Sequence, residues 1–101
     1  FSMVGGVGEV VAVGETEVAM VLEMKQYVEK YKGVTYKAFD AIEMKTQVVA
    51  GTNYFVKVKT SAADTEGCLL LKLFRPLPHT GLPLELAGVQ DTQLDTPISH
   101  F

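Results

Sequence analysis

Only one stretch of this chain has the period of a helix, and the apolar runs after it have the period of strands. Over residues 15–32, Met20, Val21, Met24, Tyr27, Val28 and Tyr31 recur at spacings of three and four and fall on one face. Glu17, Glu23, Lys25, Gln26, Glu29, Lys30 and Lys32 occupy the rest of the surface. Gly14 stands at the N-cap. Glu15 and Glu17 lie in the first turn and Lys30 and Lys32 in the last, which complements the helix dipole. Gly33 fits the left-handed stop. The spacing predicts one amphipathic helix whose Met and Tyr stripe is core, not a cofactor site.

Beyond Gly33 the apolar positions alternate. In residues 34–49, Tyr36, Ala38, Ile42 and Met44 share one parity while Phe39 and Ala41 share the other, so a β-bulge is expected near residues 38–41. Residues 53–60 read as the partner strand, with Tyr54, Val56 and Val58 on one face and Phe55, Lys57 and Lys59 on the other. Residues 61–67 form a polar connection. Residues 68–74 form a third strand that opens at Cys68. Arg75–Gly81 carries Pro76 and Pro78 and reads as a stiff exposed turn. Residues 82–86 alternate as a last strand, with Pro83 at an edge or in a bulge, and 87–101 read as a surface-packed tail with few apolar anchors. Ahead of the helix, Val10, Val11 and Val13 suggest a short strand.

Composition removes several functional classes. The chain has 101 residues, 48% apolar and 21% charged, which suits one soluble domain. Its formal charge is −3, and its nine basic residues form no cluster with interleaved aromatics, which argues against a nucleic-acid partner. No apolar run approaches the roughly 18 residues a membrane helix needs, so no membrane partner is expected. The start of the sequence lacks a basic region followed by an apolar core, so no signal peptide is expected. Cys68 is the only cysteine, which precludes an intrachain disulfide and favours a reducing, cytoplasmic compartment. Cys68 offers a candidate nucleophile with His79 or His100 as base, but Cys68 opens an apolar strand and nothing near it favours a thiolate. The cysteine and the two histidines do not match zinc spacing, and no nucleophile elbow, phosphate loop or dinucleotide fingerprint is present. No enzyme, no cofactor and no metal are expected.

The stretch Gln47-Val48-Val49-Ala50-Gly51 does not follow the usual chemistry of a turn. It joins two strand-like runs, yet carries three apolar residues where Gly, Asn, Asp or Pro would be normal. Two readings fit the local pattern. Val48 and Val49 end the first strand and Gly51-Thr52-Asn53 turns the chain, or the apolar tip stands exposed and waits to be covered. With Thr52-Asn53-Tyr54-Phe55 behind it, the pentapeptide strongly resembles the first inhibitory hairpin of the cystatin superfamily, and specifically of its stefin branch. The resemblance implies an α+β fold, an antiparallel sheet wrapped around a single long helix, in one domain over residues 1–101. It implies a reversible, tight-binding inhibitor of papain-like cysteine proteases of the cathepsin type. Counting back from Gln47 without a gap, it places Gly5-Gly6 on the glycine pair of the N-terminal trunk, with Met3 and Val4 reaching the protease's non-primed subsites. It places Leu77-Pro78-His79 on the second binding hairpin.

The match has two departures. Val4 stands where stefins often carry Pro or Cys, and the connection at 61–67 is longer than in the typical stefin. The alternatives are a non-inhibitory cystatin-fold binding module or an engineered scaffold, and a structural role through strand exchange. Intact sequence at both hairpin tips weighs against a scaffold, whose tips are normally replaced. A monomer is expected, with a domain-swapped dimer as its alternative state.

Overall fold

The computed structural model describes residues 10–62, 65–99 and 101. Its one helix among them, α1, spans Glu15–Lys32. Gly14 is extended at the N-cap, and its N–H donates to Glu17 Oε1 at 3.0 Å. Gly33 ends the helix with φ at 71° and donates to the Glu29 carbonyl at 2.8 Å. Met20, Val21, Met24 and Val28 are buried, as the stripe predicts. Tyr27 and Tyr31 are not, and Tyr31 is 72% exposed. Tyr31 lies in the last turn, on the rim of a cleft lined by Leu86 and Val89. A phenol that keeps its hydroxyl in water satisfies it there without a buried partner.

Four strands follow, each antiparallel to the one before: β1 Ala38–Val49, β2 Gly51–Ala62, β3 Thr65–Pro76 and β4 Glu85–Thr92. The expected bulge is present just past its expected place. Ala41 pairs with Val58 and Glu43 with Lys57, so Ile42 has no opposite residue and is exposed. The inner face of the sheet carries Phe39, Met44, Val56, Val58, Leu69, Leu71 and Leu73, packed with the helix stripe into one core. This is the α+β arrangement that the resemblance implies, one helix against an antiparallel sheet. Lys32 Nζ meets Asp91 Oδ1 at 2.9 Å and fastens the helix end to β4. That hydrogen bond holds the Lys32 ammonium above its ordinary pKa, and burial does the same for the Tyr36 phenol.

The chain after Arg75 differs from expectation. The last strand is not 82–86. Leu82 and Pro83 are exposed and lie outside the ladder, and β4 runs from Glu85 to Thr92. Pro83 has no N–H to give to β3, so pairing begins only after it. A register shift between Lys72 and Leu73 also breaks the alternation that would have marked β4. Beyond Thr92 the chain packs on the surface of the sheet, as expected, and with few apolar anchors. Ile98 is buried against Phe55 and Leu70 on the outer face.

Three lysines also hold this tail. Lys45 Nζ donates to the Ile98 carbonyl at 3.0 Å and Lys72 Nζ to the Phe101 oxygen at 2.8 Å. Lys57 Nζ donates to the Leu94 carbonyl at 2.9 Å and to that of Thr96, and pairs with Glu43 at 3.0 Å. Lys57, an outward-facing strand position, is thereby only 1% exposed.

At the other end of the chain, the expected short strand reduces to one bridge, Val11 N–H to the Met44 carbonyl at 2.9 Å. The connection at 61–67 is largely strand, paired as far as Ala62 with Thr65.

Candidate functional site

The sheet register places the two candidate tips side by side. The β1–β2 ladder runs without a break from Glu43–Lys57 to Val49–Gly51, which leaves Ala50 alone at the turn. The reading in which Val48 and Val49 end a strand and Gly51-Thr52-Asn53 turns the chain is therefore half right. Val48 and Val49 do end the first strand, but Gly51, Thr52 and Asn53 already belong to the second, two residues earlier than position 53. In the next ladder Gly51 pairs with Pro76 and Thr52 with Arg75. The first turn and the end of β3 thus lie at the same end of the sheet, and Leu77-Pro78-His79 leave from that point.

Gly51 makes this close approach possible. Its φ is 130°, which side-chain-bearing residues rarely adopt. A Cβ there would lie 2.5 Å from the Arg75 carbonyl oxygen and 2.8 Å from the Phe74 ring. Across the same hairpin, Asn53 Nδ2 donates to Gln47 Oε1 at 3.0 Å, which ties the strands together just below the tip.

The tip residues have little cover. Val48 is 60% exposed, Val49 37%, and Ala50 is exposed. The second turn continues as a short 3₁₀ segment, Pro78–Thr80, closed by Gly81 with φ at 68°. Leu77 is 39% exposed, and Pro78 and His79 are exposed. Gln47 to Gly51 and Leu77 to His79 therefore form one ridge at this end of the sheet, with Val48, Val49 and Leu77 as its large exposed apolar residues. The remaining predicted site residues, Met3, Val4, Gly5 and Gly6, lie outside the described residues. Val11, bridged to Met44, brings the entering chain alongside β1 close to Gln47.

Four residues outside the expected contact set shape this site. Phe74 lies under Gly51, Asn53 holds Gln47, and Thr80 and Gly81 close the second turn. The Thr-Gly pair after two prolines is a turn signal of the right kind. The contact of Phe74 with Gly51 and the bond from Asn53 to Gln47 become visible only once the register is known.

The site is not built for covalent chemistry. Cys68 is buried on β3, opposite Lys59 and far along the sheet from both tips. No group of three or more metal-ligating side chains occurs among the described residues.

A single helix against a four-stranded meander, with two adjacent apolar turns at one end, defines a cystatin-type fold presenting an edge. The cystatin domain profile matches residues 6–85, and the chain belongs to the cystatin family, among the stefins. Cystatin-B of Oplegnathus fasciatus is 34% identical over 100 residues, 98% of this chain and 97% of that one. Cystatin-B of Mus musculus is 38% identical over 80 residues, 78% of this chain and 79% of its own. Leukocyte cysteine proteinase inhibitor 1 of Sus scrofa is 36% identical over 80 residues, 78% of this chain and 75% of its own.

Proposed function

We propose that this chain, as one cystatin domain over residues 1–101, inhibits papain-like cysteine proteases reversibly by filling the active-site cleft. It is an inhibitor and not an enzyme. The observation that carries the mechanism is the ridge itself, with Val48, Val49 and Leu77 exposed at the same end of the sheet and Gly51 packed closely against the end of β3. A papain-like protease has a narrow cleft with a thiolate at its base. The two turns enter the primed side, and Met3, Val4, Gly5 and Gly6 occupy the non-primed side. No peptide bond of the inhibitor then needs to lie over the nucleophile, so access is blocked without cleavage.

Burial supplies the energy. Fully burying a side chain of this kind is worth about 1.5–3 kcal/mol at ~25 cal/mol per Å², and docking gains the share still in water, 60% for Val48, 37% for Val49 and 39% for Leu77. Gln47, Ala50, Gly51, Pro78 and His79 complete the contact surface, and the ordered turns lower the entropy cost of docking. We further infer cathepsin-type targets, a cytoplasmic location and a monomeric working state.

The substitution Val49→Asp tests the wedge. A charge at the tip is solvated in the free protein and stranded in the complex, so inhibition should fall at least a hundredfold while circular dichroism stays that of the parent. Full inhibition by the variant would show that this hairpin does not enter the cleft.

A further inference from the structure

We propose that Thr80 is a positioning residue for inhibition, its hydroxyl pinning the second turn in its docking shape; this rests on the inhibitory reading above. Thr80 Oγ1 donates to the Leu77 carbonyl at 2.7 Å and accepts the Leu82 N–H at 3.2 Å. Its own backbone N–H donates to the same Leu77 carbonyl at 3.0 Å. One side chain thus links the residue that enters the turn to the residue that leaves it. Gly81 N–H adds a bond to the Pro78 carbonyl at 3.3 Å.

Burial does not hold this turn. Leu77 to Leu82 are all exposed, so its shape depends on these hydrogen bonds and on the fixed φ of Pro78. Without the hydroxyl the turn samples other shapes, and docking must then order it at an entropic cost. The global fold should be indifferent to the change, because Thr80 is exposed and both partners of its hydroxyl lie within the same exposed turn.

The test compares Thr80→Val, which keeps the shape and loses the hydroxyl, with Thr80→Ser, which keeps the hydroxyl. In the free protein, exchange of the Leu82 amide should quicken in Thr80→Val and stay near the parent rate in Thr80→Ser. With papain as the probe, dissociation of the Val variant should be roughly three- to tenfold faster, the range a net hydrogen bond supports. The Ser variant should restore the parent rate, and all three proteins should share one melting temperature. Gly81→Ala reaches the same turn by another route. Its Cβ meets open space, but the φ of 68° strains it, so it too should dissociate faster, with a melting temperature lowered by a few degrees at most. Parent-like dissociation or parent-like Leu82 exchange in Thr80→Val would overturn the proposal. Should the parent protein fail to inhibit papain, the inhibitory reading falls, and Leu82 exchange alone then decides whether the hydroxyl holds the turn.

Discussion

At the scale of the residue, Gly51 links the two halves of the ridge. A methyl group there would strike the Arg75 carbonyl and the Phe74 ring, at a φ of 130° that L-residues avoid. Gly51→Ala should destabilise the fold by roughly 2–4 kcal/mol, combining backbone strain with overpacking. Urea unfolding measures this, and a loss below about 0.5 kcal/mol, the range of an ordinary surface change, would mean that the contact relaxes freely. The resemblance marked Gly51 as a site residue, but the sequence gives no hint of what it touches. Its partner Phe74 is distant in the chain and is matched to it only by the β2–β3 register. Val48 and Val49, by contrast, were legible as anomalies because turn chemistry rarely tolerates apolar residues.

At the scale of the element, legibility followed local regularity. The limits of α1 could be read because Gly14, the charge gradient and Gly33 all agree with the stripe. The faces of β2 could be read because Tyr54, Val56 and Val58 alternate without a slip. β4 could not, because Pro83 and the register shift at Lys72–Leu73 break its period. The covering of the outer face was also hidden, since lysines at alternating strand positions normally signal solvent. Lys57 instead binds two tail carbonyls and Glu43 while almost wholly buried. Lys57→Met keeps the aliphatic stem and leaves the Leu94 and Thr96 carbonyls without this donor. It should cost roughly 1–3 kcal/mol and speed proteolysis of the tail around residues 93–99. Unchanged stability and unchanged cleavage would show that water replaces the ammonium without penalty.

At the scale of the whole molecule, the β1–β2 hairpin joins two long strands through one residue, Ala50. Val48 and Val49 are β-branched and already extended at the end of β1, and Gly51 opens β2, so only the backbone about Ala50 has to straighten for the hairpin to become one continuous strand. Heating or partial denaturation at high concentration should therefore yield a dimer that exchanges the N-terminal segment, α1 and β1. The exchange consumes the first tip, so the dimer should not inhibit. Size-exclusion chromatography with an assay on each peak measures this. A dimer as inhibitory, chain for chain, as the monomer would exclude exchange through Gln47–Gly51.

The most direct test of the account is to titrate papain with the purified monomer, with a serine protease as control. The account predicts loss of papain activity in proportion to added protein, recovery on dilution, an uncut inhibitor chain and an unaffected serine protease. No inhibition at micromolar protein, or equal inhibition of both proteases, would contradict it.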